Sequence, residues 1–355
     1  MEDLREENNT PENTNTHQHI DPVEEVIGTP NETLDFKSRL DLSELSSNVQ
    51  KIRSEIGKVI VGQENMIDML IASLLAGGHS LIEGVPGIAK TVTAKLLSKT
   101  LSVGFSRIQF TPDLMPSDIL GTSVFNLKTT EFEFKKGPIF SNMILIDEIN
   151  RAPAKTQAAL FEVMEEQQIT MDGMQYKLSS PFMVLATQNP VEQEGTYRLP
   201  EAQLDRFLFK INVGYPNLND EIEILKREHE LKDTSKINAI TSFLTSEQIA
   251  TYQHLVSQVF IEAHLLRYIA QIIVATRTNQ YLYLGASPRA SIAILKASKA
   301  FAAMNGRDFV TPEDIKRAAI PVLHHRVIVT PEREMEGLTN DTIITQIIEM
   351  TEIPR

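Results

Sequence analysis

The residues best suited to chemistry are Gly84-Val85-Pro86-Gly87-Ile88-Ala89-Lys90-Thr91 and, downstream, Asp147-Glu148 at the end of Ile144-Leu145-Ile146. Residues 79–83 form a short, mostly apolar run suited to a buried strand, and residues 91–97 read as the start of a helix. Between the two the chain must turn tightly and present backbone N–H groups, and a helix N-terminus adds partial positive charge there. Gly84 and Gly87 permit the dihedrals such a turn needs. A loop of this kind cradles phosphates, with Lys90 reaching the β- and γ-phosphates and the Thr91 hydroxyl ligating Mg²⁺. One position departs from the pattern: Ala89 stands where glycine ordinarily precedes the lysine.

The second segment supplies what the loop lacks. Residues 142–146 are apolar enough for a central parallel strand buried on both faces, and they end abruptly in two acids. Open α/β sheets bind ligands at the carboxyl ends of their strands. Asp147 is expected to hold Mg²⁺ through water, and Glu148 to orient and polarise an attacking water. The pairing implies hydrolysis of a nucleoside triphosphate. Three further polar residues suit the same chemistry. Asn189, in Ala186-Thr187-Gln188-Asn189-Pro190, follows another apolar run and can reach the crevice. Arg206, in Leu204-Asp205-Arg206-Phe207, precedes a strand, and Arg289, in Ser287-Pro288-Arg289-Ala290, opens a helix. An arginine fixed by its surroundings can stabilise charge on a transferred phosphoryl group.

The elements that must position these residues follow from hydropathy. Beyond the strand at 79–83, strand candidates lie at 105–110, 142–146, 182–187 and 208–213, separated by helical segments. Five strands alternating with helices predict a parallel sheet covered on both faces. Two hairpin-like inserts interrupt it, at 121–140 and 168–178, the second turning on Asp172-Gly173. Residues 42–77 read as helical, broken at 59–63. After Tyr215-Pro216 strand signals stop, and residues 219–329 read as helices, with Thr311-Pro312-Glu313-Asp314 as a helix start. The expected division is an acidic, disordered tail over 1–42, an α/β core over 43–216 and a helical lid over 217–355.

Composition narrows the class. The 355 residues contain no cysteine, which excludes disulfides and thiolate metal sites. Apolar runs are too short to span a bilayer, so no membrane insertion is expected, and a cytoplasmic location is. Net charge is −13, of which residues 1–42 carry −8, with 11 Asp/Glu against 3 Lys/Arg. A mildly acidic body argues against a nucleic-acid partner, which calls for a basic footprint.

These motifs resemble those of the AAA+ ATPases, and more closely their MoxR branch. The resemblance runs over about residues 43–350 and is carried by Ile60-Val61-Gly62-Gln63, the 84–91 loop, Gln109-Phe110-Thr111-Pro112-Asp113-Leu114-Met115-Pro116-Ser117-Asp118, Asp147-Glu148-Ile149-Asn150-Arg151-Ala152-Pro153, the 186–190 stretch, Glu194-Gly195-Thr196-Tyr197 and Leu199-Pro200-Glu201-Ala202-Gln203-Leu204-Asp205-Arg206-Phe207. That branch commonly has alanine before the loop lysine, which makes Ala89 a mark of the subfamily. Arg198 stands where it often has proline.

The resemblance implies a P-loop αβα core of five parallel strands followed by a small all-α lid. It implies ATP and Mg²⁺, with Val61 and Gly62 at the adenine and Val85, Pro86, Gly87, Ile88, Ala89, Lys90 and Thr91 around the phosphates. Asn189 resembles the first sensor, Arg206 the finger acting on ATP of a neighbouring subunit, and Arg289 the second sensor. A finger supplied in trans implies a homo-oligomeric ring, most often a hexamer. The hairpins resemble elements that face the pore or a partner. The implied role is remodelling or maturing a client protein, often one with a von Willebrand factor A domain, with metal-cofactor insertion as a close relative. A nucleic-acid motor or transcription activator on the same core, and a non-catalytic nucleotide-binding regulator, stay open as alternatives.

Overall fold

The structure, a computed structural model, describes residues 40–190, 195–230 and 242–354. The acidic tail lies outside the described residues as far as position 39, as does Glu194 of the 194–197 motif.

Five strands form the central sheet: β1 (Ser80–Gly84), β2 (Phe105–Gln109), β3 (Met143–Asp147), β4 (Met183–Gln188) and β5 (Phe209–Val213). All pairings are parallel and the order is β5-β1-β4-β3-β2. The expected alternation of strands and helices is therefore realised, each strand within a residue or so of its predicted place. Every residue of β3 is buried. Its period-2 side chains serve two cores: Ile144 and Ile146 pack with Val184, Ala186 and Phe161 on one face. Met143 and Leu145 pack on the other, with Leu185, Phe209 and Ile211. Burial on both faces explains why these strands read as unbroken apolar runs.

The first layer contains helix Ala154–Glu166. The second contains helices Ser43–Gly57, Glu64–Leu75 and Lys90–Thr100. Its core runs on without a break into the C-terminal helices, through Ile272, Ile294, Phe301 and Ile344. The helical part thus shares its apolar interior with one face of the sheet. Helix Pro312–Leu323 starts where Thr311-Pro312 predicts, and the Thr311 N–H donates to Asp314 Oδ2 at 2.9 Å. Asp314 also takes the fork of Arg307 at 2.7 and 2.8 Å.

Strand pairing does not end at Tyr215, as the hydropathy suggested. Leu244–Thr245 pairs in parallel with Leu101–Ser102, and Leu282–Leu284 pairs antiparallel with Ile328–Val329. Segments of two or three residues carry no readable period, so packing of the flanking helices decides them. Both predicted hairpins are present, Gly121–Asn126 with Glu131–Lys136 and Gln168–Met171 with Met174–Lys177. Asp172 and Gly173 both have positive φ, 52° and 76°, the turn that matches strand twist. The hairpins touch: the Phe134 and Tyr176 rings lie 4.5 Å apart, and the Ser123 hydroxyl donates to Asp172.

Candidate functional site: a phosphate-loop cleft and an arginine cleft

A cleft of about 400 Å³ opens at the carboxyl ends of β1, β3 and β4, where an open parallel sheet is expected to hold its ligand. It is lined by the loop residues Pro86, Gly87, Ala89, Lys90 and Thr91, the acids Asp147 and Glu148, and Gln188 and Asn189 at the end of β4. The loop bends through Gly87 at φ 88° and Ala89 at φ 62°, and helix Lys90–Thr100 starts directly after it. Ala89 holds the left-handed conformation that glycine adopts without strain, which explains why the general pattern has glycine there. Gly84 cannot carry a side chain: a Cβ would lie 2.4 Å from Ile88 Cδ1 and 2.7 Å from the Val213 carbonyl oxygen. Ile88 is buried and Val85 packs against the core, and neither lines the cleft.

Polar contacts draw the expected residues together. Lys90 Nζ donates to the carbonyls of Gly84 and Gln188. The Thr91 hydroxyl donates to Asp147 Oδ1 at 2.8 Å, and the Thr187 hydroxyl lies 3.2 Å from the same oxygen. Asp147 Oδ2 accepts from Arg107 Nε at 2.7 Å. Glu148, at φ 58°, turns the chain out of β3, and its N–H donates to the Thr187 hydroxyl at 3.1 Å. Glu148 Oε2 accepts from Gln109 Nε2 at 2.8 Å and lies 3.1 Å from Arg151 Nε. Asn189 is nearly buried at the cleft wall.

The donor set fits a nucleotide with Mg²⁺. A hydroxyl and a carboxylate converging at 2.8 Å are hard oxygen ligands, and a lysine beside a glycine-bent helix start offers anion contacts. Val61 and Gly62 do not line this cleft. Gly62, at φ 72°, lies against Asp220, which a Cβ would meet at 2.4 Å.

Arg206 and Arg289 lie elsewhere. They line a second cleft, of about 250 Å³, together with Gly78, His79, Glu165, Asp205, Lys296 and Arg326. Gly78 and His79 precede β1 and Leu208 precedes β5, so this cleft sits at the amino ends of the strands. From Gly78 to Gly84 the chain climbs six residues, roughly 20 Å of extended backbone. The two arginines therefore stand at the opposite ends of the strands from their own Lys90. Glu165 holds both: Arg289 Nη2 donates to Oε1 at 2.7 Å and Nη1 to Oε2 at 3.3 Å, and Arg206 Nε lies 3.1 Å from Oε2. The Arg206 contact is an ion pair without hydrogen-bond alignment. The loop carrying Arg206 is anchored by Arg326, whose side chain is 3% exposed. Arg326 donates to Asp205 Oδ1 at 2.6 Å and to the carbonyls of Asp205, Phe207, Leu208 and Val322.

Known proteins share this architecture. Residues 79–209 match the family described as ATPase family associated with various cellular activities (AAA), and residues 274–347 match the AAA lid domain. The chaperone MoxR1 of Mycobacterium tuberculosis is 40% identical over 310 residues, 85% of this chain and 81% of that one. The chain belongs to the MoxR family of AAA+ ATPases. The uncharacterised protein YeaC of Bacillus subtilis is 44% identical over 304 residues, 86% of this chain and 94% of that one. A crystal structure of a candidate ATPase from Cytophaga hutchinsonii superposes with a TM-score of 0.81 at 42% identity, covering 88% of this chain and 97% of that one.

Membership in the MoxR family implies nucleotide binding. Some of the cleft's residues escaped the sequence reading. Arg107 and Gln109 alternate on β2 and so share a face, and the register sets Gln109 opposite Asp147. That period-2 pair of polar residues at a strand's carboxyl end was a usable signal. Glu165 and Lys296 gave none, being ordinary charged residues of amphipathic helices. None of the described helices is long and apolar enough to cross a membrane.

Proposed function

We propose that this chain is an Mg²⁺-dependent ATPase whose active site is completed by a second copy, and that turnover drives remodelling or maturation of a protein client. The observation that supports the proposal is that the two clefts lie at opposite ends of the strands of one sheet. Lys90, Thr91, Asp147 and Glu148 bind and activate at the carboxyl ends of the strands, while Arg206 and Arg289 stand roughly 20 Å away along β1. Arginines so placed act on a nucleotide only if it is bound by a neighbour, and such a head-to-tail relation gives a ring when its rotation closes, as the family resemblance implies.

Within this reading the loop amides and Lys90 bind the β- and γ-phosphates, and the Thr91 hydroxyl and Asp147 carboxylate hold Mg²⁺. When bound, Mg²⁺ neutralises charge shared by those phosphates. Glu148 accepts the proton of the attacking water, once its carboxylate turns from Gln109 and Arg151 toward it. Asn189 orients that water from the end of β4. The neighbour's Arg206 and Arg289 stabilise charge on the transferred phosphoryl group. Val61 and Gly62 remain the proposed adenine contacts. Subunit number (a hexamer by family resemblance) and a client with a von Willebrand factor A domain belong to this proposal, as does metal-cofactor insertion. The name of the relative MoxR1, a chaperone, supports a protein client.

Mixing variants tests the arrangement. Glu148→Gln should bind ATP without hydrolysing it, and Arg206→Ala should also be inactive. Rings mixed from the two should regain phosphate release, because Glu148→Gln subunits lend intact arginines to Arg206→Ala sites. Absence of rescue, with both variants folded and assembled, refutes the shared site. Strong, salt-sensitive stimulation by DNA would instead favour a nucleic-acid motor.

A further inference from the structure

Arg206 and Arg289 arrive from separate parts of the chain, one on the loop before β5 and the other in the first turn of helix Pro288–Met304. They nevertheless close on a single carboxylate, Glu165, in the last turn of helix Ala154–Glu166. Asp205 makes a parallel joint beside it, accepting from Arg326 and, at 3.2 Å, from the Ser287 hydroxyl. That second joint is largely buried and ties the Arg206 loop to the helical part. Glu165 and its two arginines stay accessible, with side chains between 30% and 51% exposed.

We propose that Glu165 is the positioning residue of the arginine pair, presenting Arg206 and Arg289 as one preset unit to the nucleotide of the adjacent copy. The inference rests on the trans reading above. Transition-state stabilisation depends on donors fixed before charge develops, and an arginine's long stem otherwise leaves its head group unplaced. Glu165 uses one oxygen for an Arg289 nitrogen and shares the other between Arg289 and Arg206. The Nη groups of Arg206 make no hydrogen bond with any described residue, so its tip is left to reach outward. One negative charge for two positive ones leaves the cleft cationic, and Lys296, two turns beyond Arg289 on the same helix, adds to that sign. Helix Ala154–Glu166 also links the two ends of the strands. It starts six residues after Glu148 and its 13 residues span about 20 Å, so Glu165 stands at the far end of the element that follows the subunit's own catalytic acid.

The test uses full-length Glu165→Gln, which keeps shape and removes charge. Positioning predicts that kcat falls roughly 10- to 100-fold, as misplaced groups do, while KM for ATP changes less than about twofold and thermal stability is unaltered. Glu165→Asp should recover part of the loss, which a purely structural role would not require. The decisive readout is complementation. Glu165→Gln mixed with Glu148→Gln should regain activity, whereas Glu165→Gln mixed with Arg206→Ala should not, since both damage the lent half-site. A wild-type kcat in Glu165→Gln, or rescue of Arg206→Ala by it, overturns the inference. If Glu148→Gln fails to rescue Arg206→Ala, the trans reading itself falls; if that rescue succeeds while Glu165→Gln behaves otherwise, only Glu165's role falls. Should Glu165→Gln not fold, Glu165→Asp carries the same mixing test.

Discussion

Arg326→Met separates the joint between the helical part and the Arg206 loop. Its guanidinium makes five hydrogen bonds, to Asp205 Oδ1 and to the carbonyls of Asp205, Phe207, Leu208 and Val322. Burial pulls the Arg326 pKa down, opposed by the Asp205 carboxylate, so the ion persists because of its partners. Removing one member of a buried ion pair costs about 3–5 kcal/mol, because the other charge is left without a partner. Asp205 is 19% exposed and can take some water, which favours the lower end, about 3 kcal/mol. Unfolding entropy of roughly 2.1 cal/mol/K per residue over about 300 folded residues gives 0.6 kcal/mol/K, so Tm should fall by about 5 °C. Differential scanning fluorimetry or calorimetry measures this, and ATPase activity should drop with it, since the Arg206 loop loses its anchor. Asp205→Asn should be milder, because Arg326 keeps four carbonyl acceptors. An unchanged Tm in Arg326→Met, or a larger loss in Asp205→Asn, refutes the reasoning.

Glu148→Gln should lower kcat by roughly 10²–10⁴, the usual worth of a positioned base, with nucleotide affinity by calorimetry nearly unchanged; ordinary turnover would remove Glu148 from the mechanism. Ala89→Gly should retain ATP binding and stabilise the fold by at most about 1 kcal/mol, since glycine adopts φ 62° without a Cβ penalty. A lower Tm in that variant counts against strain at Ala89. Stability should fall on acidification through His79. The Val184 N–H donates to Nδ1 at 3.0 Å, which leaves the ring proton on Nε2, 3.3 Å from the Met164 carbonyl, and burial pushes the pKa down to about 4. Against an ordinary value near 6.5, the unfolded chain binds more protons below that pH, so the contribution is whole above 6.5 and lost toward 4. At pH 5.5 this single histidine costs about 1.4 kcal/mol. Burial lowers His325 in the same direction. Tm measured at pH 7.5 and 5.5 should differ by a few degrees and the gap should narrow in His79→Asn; equal Tm values at the two pH values would falsify the linkage.

Much of this protein was legible before any fold was known, for local reasons. A glycine-bent loop between strand and helix, or two acids after an apolar strand, brings its chemistry within a few residues, and two-sided burial turns central strands into unbroken apolar runs. The rule that open sheets bind ligands at the carboxyl ends of their strands made Lys90, Thr91, Asp147, Glu148 and Asn189 readable as one cleft. Arg107 and Gln109 needed the β2–β3 register, which brings the edge strand's polar face to the acids. The two short pairings in the helical part fell below any detectable period.

What the sequence alone determined is the set of parts: a glycine-bent loop with its lysine, a carboxylate pair, two arginines and a helical C-terminal region. The resemblance implies a neighbour's nucleotide for Arg206; that Arg289 stands with it, in a second cleft, was decided only by the tertiary structure. Strand order, and the packing of the C-terminal helices onto one face of the sheet, carry Arg206 and Arg289 to the amino ends of the strands and leave Lys90 at the carboxyl ends. No local pattern encodes that separation, because it depends on contacts between residues over a hundred positions apart, Arg289 with Glu165 and Arg326 with Asp205 among them.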